Sequence, residues 1–247
     1  MQNKTSKKSL YKPAVIGFGL ILISLIVAMT GPLGSRIGWW DFTFAVTLVT
    51  WSVYLGLFAA LLCSLGLIVA RPGSRRRGFV FSLLGLIIIV PMILFLQSWN
   101  EAKMTLPPIQ DITTNTDTPP EFWISPNSRM YGGKKIAVLQ KKFYPDIQPL
   151  FLSVPADKVF DLSIKVIQDK GWQLWEPSRV DMHIEATHKT FWFGFSDDVI
   201  IHITAVDKTS SRIDMRSTSR FGGGGDGGTN ANRIRSFFKA LAKRAQQ

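Results

Sequence analysis

Three stretches of the chain carry no charged residue: Pro13–Thr30, Phe42–Ala70 and Gly78–Gln97. Each is long enough to cross roughly 30 Å of hydrocarbon as a helix. A charge at mid-span would cost about 2.5–3.5 kcal/mol on insertion scales, and buried soluble helices rarely stay apolar on every face for this length. The pattern predicts three transmembrane helices, within a region spanning residues 13–97. Beyond it the apolar positions become periodic and short, as in a globular domain.

Ser98–Phe122 holds Pro107-Pro108 and Pro119-Pro120 with a run of Thr, Asn and Asp between them, and it reads as an extended stalk. Residues 123–247 then have the size of one small domain. Gln148–Ser153 suggests a first strand. A helix follows from Pro155 to Gly171, with Val159, Phe160, Ser163, Val166 and Ile167 on one face. Short strands are expected in "WQLWEP" and "DMHIEAT" around a turn at Pro177–Arg179. Apolar parity then switches from Met182, Ile184 and Ala186 to Phe191, Phe193 and Phe195, which calls for a bulge or turn near His188. Two further strands alternate. One sets Val199, Ile201 and Ile203 against Ile200, His202 and Thr204. The other sets Ile213, Met215, Ser217 and Ser219 against Arg212, Asp214, Arg216, Thr218 and Arg220. Ile234, Phe237, Phe238 and Leu241 form the stripe of a last helix. The order β-α-β-β-β-β-α, with consecutive strands unbroken by helices, implies an antiparallel sheet with helices on one face. The fold class is α+β, helix-grip-like, behind three transmembrane helices.

Charge changes the picture of location. The net +12 suggests a nucleic-acid partner until it is mapped. Lys4, Lys7, Lys8 and Lys12 load the tail of residues 1–12, and Arg71, Arg75, Arg76 and Arg77 load the loop before the third span. From Ser98 onward 20 basic residues face 16 acidic ones. Basic residues concentrated beside spans follow the positive-inside rule, which predicts a cytoplasmic N-terminus and an exported C-terminal domain. Trp39, Trp40 and Trp99 fall near the expected outer boundary. The expected setting is a bacterial inner membrane, multi-pass, with a periplasmic domain. Its partners are the lipid bilayer and a protein or envelope lipid, with no nucleic acid. Cys63, the lone cysteine, lies within the second span and leaves the exported part without a disulfide or thiol nucleophile.

The glycine run from Gly222 to Gly228 raises the question of a phosphate cradle. Gly222, Gly224 and Gly227 match a dinucleotide fingerprint literally, but that motif requires a βαβ unit. A P-loop reading puts Gly228 where the phosphate-binding lysine belongs. No nucleotide and no cofactor is therefore expected. A bare anion at the last helix's N-terminus, near Arg216, Arg220 and Arg233, competes with a capping role for Asp226 and Asn230.

The motifs "YPDIQPL", "GW", "IEAT..TFWFGFSDDV", "DMRSTSR" and "G..NANRIRSF" resemble the DUF1499 family, a domain of unknown function, from about Ile109 to Leu241. Its members end in a pattern matched here by Ser219-Arg220-Phe221-Gly222, Asp226 with Asn230, and Arg233-Ile234. The Gly222–Asp226 loop is one residue longer than the pattern. Gln110 stands where members often have His, and His202 where they usually have Arg. The resemblance implies no established activity, and some members share hydrophobic helices ahead of the domain.

Asp197 and Asp198 form the obvious acid pair, but neighbours on a strand point to opposite faces and cannot make a close dyad. A hairpin turn with Asp198 paired to Arg216 or Arg220 is the plainer reading. His183, His188 and His202 lack metal-site spacing, and Ser217 and Ser219 lack a nucleophile elbow. No catalytic, cofactor or metal residue is assigned, and the expected role is a non-enzymatic binding or envelope-assembly module, with an enzyme using Asp197 and Asp198 as the lesser alternative. The candidate cluster is Asp198, Arg216, Ser219, Arg220, Gly222, Asp226, Gly228, Asn230 and Arg233. An alternative site is an apolar, lipid-accepting cavity lined by Trp172, Trp175, Phe191, Trp192, Phe193 and Phe195.

Overall fold

A computed structural model describes residues 9–126, 130–220 and 224–247. Lys4, Lys7 and Lys8, Gly222, and the side chain of Trp99 lie outside the described residues. The chain forms two compact units, one built on residues 1–98 and the other on 99–191 and 195–247.

In the first unit the three apolar runs are the helices α1 (Lys12–Arg36), α2 (Phe42–Val69) and α3 (Phe79–Thr105). All three are long and apolar enough to cross a membrane. Two-residue strands β1 (Ser9–Leu10) and β2 (Arg76–Arg77) pair in parallel beside the basic loop. Small residues, among them Ala14, Gly17, Ser24, Ser52, Gly56 and Ala59, make up much of the buried surface of these helices. Ser24 donates to the Ser52 carbonyl at 2.9 Å, and Ile21, Ala59, Cys63 and Ile89 form the buried centre. A Cβ on Gly17 would lie 2.9 Å from the Cys63 sulfur and 3.0 Å from the Ala59 carbonyl oxygen, which the backbone holds in place. Gly17→Val is therefore expected to destabilise the helical unit by about 1–3 kcal/mol through overpacking, read as a lower unfolding temperature in detergent.

The second unit is α+β. Strand β3 (Asp111–Thr113) is followed by α4 (Gly133–Phe143), β4 (Leu150–Leu152), α5 (Ala156–Asp169), β5 (Gln173–Leu174), β6 (His183–Lys189), β7 (Ser196–Ala205), β8 (Ser211–Ser219) and α6 (Thr229–Ala245). The antiparallel sheet runs β3-β8-β7-β6-β5, and β4 pairs with β8 beyond the end of β3. From β4 onward the order is the expected β-α-β-β-β-β-α.

The segment expected to be a stalk differs. Its first residues continue α3, and Asp111–Thr113 is a sheet strand with Ile112 fully buried. The domain boundary therefore precedes Asp111 rather than following Phe122. The two Pro-Pro pairs flank the strand without entering it, which is why composition alone masked it. Helix α4 was also unforeseen, because its four lysines and short apolar stripe give a weak signal. The parity switch is the β6–β7 connection: pairing is unbroken from His183↔His202 to Lys189↔Ser196, so there is no bulge within it. β7 begins at Ser196, so Asp197 and Asp198 sit in a strand and not in a hairpin turn.

One face of the sheet carries Ile112, Ile184, Ala186, Val199, Ile201, Ile203, Ile213 and Met215. It packs against the predicted stripes of α5 (Val159, Phe160, Val166, Ile167) and α6 (Ile234, Phe237, Leu241). The opposite face is polar apart from Ile200, yet largely buried: Glu185, Asp198, Ile200, Arg216 and Thr218 are at most 1% exposed.

Candidate functional site

The polar face is covered by residues 114–126, a strap that leaves β3 and crosses the sheet. Strand alternation puts His183, Glu185 and Thr187 of β6, Asp198 and His202 of β7, and Asp214, Arg216 and Thr218 of β8 on this side. The register sets His183, His202 and Asp214 side by side across the three strands. Glu185 anchors the strap. Its carboxylate accepts from the backbone amides of Trp123 (2.6 Å), Ile124 (3.1 Å) and Ser125 (2.7 Å) and pairs with His183 Nε2 at 2.8 Å. Burial pushes the Glu185 carboxyl up, but His183 and the three amides outweigh it and hold the group at about 2. The Trp123 ring stacks on His183 at 3.7 Å, nearly parallel.

The candidate residues divide between the two faces. On the strap side Arg216 binds Asp111 bidentately at 2.8 Å through both bonds, donates to the Pro120 carbonyl at 3.0 Å, and lies by the rings of Phe122 and Tyr131. Arg220 grips Asp198 with two bonds of 2.7 Å and reaches Thr187 Oγ1 at 3.0 Å. Thr187 in turn donates to Asp198 and accepts from Trp175 Nε1 at 2.9 Å. The expectation that Asp198 pairs with Arg216 or Arg220 resolves to Arg220.

On the helix side Ser219, Asp226, Gly228, Asn230 and Arg233 meet at the start of α6. Arg233 pairs with Asp197, donates to Ser217 Oγ at 2.9 Å, and lies 3.2 Å from His188 Nδ1. Burial and then the Arg233 charge keep His188 below its ordinary value. Asn230 is fully buried and uses both ends of its amide. Its oxygen accepts from Ser217 and Arg233, and its nitrogen donates to Ser219 Oγ and the Gln110 carbonyl. Gly228 adopts φ 80°, which the turn into the helix requires. Asp226 accepts from the amides of Gly228 (2.9 Å) and Asn230 (2.6 Å), so the protein's own carboxylate fills the place of a bound anion. Burial pushes Asp226 up despite these bonds. Asp226→Ala is expected to cost about 0.5–2 kcal/mol, with faster hydrogen exchange confined to the first turn of α6.

Asp197 and Asp198 thus point to opposite faces, each engaged by its own arginine. Sequence reasoning found Asp198, Arg216, Arg220 and Arg233 but omitted from the cluster their partners Asp111 and Asp197 and the anchor Glu185. Only the polar, even-spaced pattern of His183, Glu185 and Thr187 hinted at a second buried face. Three aromatics of the alternative cavity, Trp172, Trp175 and Phe191, do not converge. Trp172 and Phe237 stack in the packed core at 5.9 Å, Trp175 belongs to the polar face, and Phe191 is exposed.

An open cleft remains beside the strap. It has a volume of about 460 Å³ and is bordered by Asn115, Trp123, His183, His202, Arg212 and Asp214. Asp214 accepts from Thr114 and from Arg212 at the cleft wall. Burial, then the neighbouring His183, holds His202 below its ordinary value. Among the described residues no group of three or more His, Cys, Asp or Glu is placed to hold a metal ion.

The family model described as a protein of unknown function, DUF1499, matches residues 111–241. The chain belongs to the DUF1499 family. The match starts at the first residue of β3, so the family's unit includes the strap. No curated protein matches this DUF1499 chain. Among solved structures it is similar over 40% of its length to the di-domain aromatase/cyclase BexL of the BE-7585A biosynthetic pathway, at 13% identity, TM-score 0.31 and 45% coverage of that chain. It is similar over the same share to the Zhui aromatase/cyclase of Streptomyces sp. R1128, at 11% identity, TM-score 0.24 and 84% coverage of that chain. Likenesses this distant say nothing of what the DUF1499 chain binds.

Proposed function

We propose that this DUF1499 chain is a multi-pass protein of a bacterial inner membrane that presents its C-terminal domain in the periplasm as a non-enzymatic binding module for an envelope component or protein partner. The observation that carries the non-enzymatic reading is the engagement of the buried carboxylates. Asp111, Asp197 and Asp198 are each held by an arginine, and Glu185 by three amides and a histidine. Such groups hold a fold in register, whereas a general acid or base needs a pKa near the working pH and access to substrate. The orientation rests on the basic tail and basic second loop.

Two measurements on whole cells test the reading. A cysteine at Lys208, in the exposed β7–β8 turn, should react with a membrane-impermeant maleimide applied from the periplasmic side, in a Cys63→Ala background. Protection until the inner membrane is opened would reverse the topology. A photo-crosslinking residue at exposed Thr118 should then give a discrete adduct. Silence at Thr118 and at further positions around the domain would end the binding-module reading.

A further inference from the structure

The cleft beside the strap has features that select a chemical class of ligand. Its volume of about 460 Å³ falls within the range of about 300–1,000 Å³ typical of small-molecule sites. Trp123 is 57% exposed although His183 covers one face of its ring, so the opposite face and edges supply the accessible surface. Beyond this flat apolar platform the lining is polar, with Arg212 set against the carboxylates of Asp214 and Glu121. Asp214 carries Arg212 at 2.9 Å, and Glu121 adds an exposed carboxylate, so an anion meets two carboxylates while a cation placed at the pair meets Arg212. A hydroxyl meets neither objection, because it accepts from the guanidinium while donating to the carboxylate. His202, next to Asp214 in register, has no hydrogen bond to its ring among the described residues, and in its neutral form offers one donor and one acceptor. A flat apolar face bordered by hydroxyls that both give and accept hydrogen bonds describes a sugar ring.

We propose that this cleft is a saccharide site, with Trp123 as the stacking platform and Asp214, Arg212 and His202 as hydroxyl partners. The proposal rests on the reading of the domain as a binding module and names its ligand class. Asn115, at the strap end of the cleft, is the further amide within the lining.

The test is saturation-transfer NMR on the full-length protein in a detergent without a sugar headgroup. The probes are N-acetylglucosamine, cellobiose and maltotriose, with choline as a cationic comparison for the same aromatic surface. At least one saccharide should receive saturation, strongest on the C–H protons of one ring face. Its apparent affinity should fall at least tenfold in Trp123→Ala and in Thr204→Arg. Thr204, an exposed β7 residue in the cleft lining, lets the second variant fill the cleft and leave the His183 stack intact. No transfer to any of the three sugars, or transfer that survives both substitutions, overturns the saccharide site. Choline binding in place of every sugar also overturns it. Discrete crosslinks from Thr118 in the absence of sugar binding would sink the saccharide site while leaving the binding module standing.

Discussion

Replacing Arg216 by alanine is expected to lower the stability of the C-terminal domain by about 3–5 kcal/mol. Arg216 is 1% exposed, and its guanidinium faces Asp111 through two bonds of 2.8 Å. Removing one partner of a buried pair leaves the other charge in a desolvated place, and that penalty dominates over the lost attraction. Asp111 would then face Tyr131, whose phenol is already pushed up to about 12 by burial and then by the Asp111 carboxylate. The Pro120 carbonyl would lose its donor, and the strap would lose the cation between Phe122 and Tyr131. In a unit of this size the loss corresponds to a fall of about 10 °C or more in unfolding temperature, measurable on the full-length protein in detergent. The pair itself need not be strongly net stabilising. Arg216→Met combined with Asp111→Leu should recover much of the loss, because no charge is then left unpaired. A single variant within about 1 kcal/mol of the parent would mean that water reaches the guanidinium and that the strap does not seal this face.

This arrangement explains what was readable from sequence. The core face was legible because apolar alternation in β6–β8 and the helical stripes of α5 and α6 are local signals. The acidic partner of Arg216 was not, since Asp111 lies 105 residues away in a segment whose prolines and threonines read as a stalk. Arg212, Asp214 and Arg216 of β8, with Arg220 just beyond its end, alternate as a solvated face would, and nothing local distinguishes a charged row that water covers from one covered by another segment. The same ambiguity hid Glu185. Asp197 and Asp198, expected in a hairpin turn, lie in β7 instead, and there the rule that strand neighbours face apart applies: Arg233 and Arg220 engage them on the two sides.

The second large effect concerns acid. Glu185 is fully buried and held at about 2, well below its ordinary 4.5. A carboxylate lowered in the folded state contributes its full share above its unfolded value and loses that share as pH falls towards the folded one. At about 1.4 kcal/mol per pH unit, Glu185 should supply about 3 kcal/mol at neutral pH, lost progressively between about 4.5 and 2. Glu185→Gln keeps the shape but turns a carboxamide NH2, a donor, towards backbone amides that need acceptors. The variant should therefore be less stable by about 2–3 kcal/mol at pH 7, with a flatter profile that meets the parent's near pH 2. Asp207 is likewise held at about 2, by Ser210 and Thr209, but it sits in an exposed turn, so Asp207→Asn should leave the profile nearly unchanged. Hydrogen exchange locates the event: the amides of Trp123, Ile124 and Ser125 should lose protection in Glu185→Gln at pH 7 and in the parent as acid neutralises the carboxylate. Parallel stability profiles for parent and Glu185→Gln would show that the strap is held by its other contacts. Because Trp123 borders the cleft and stacks on the histidine that Glu185 binds, release of this anchor would open the strap and dismantle the cleft together.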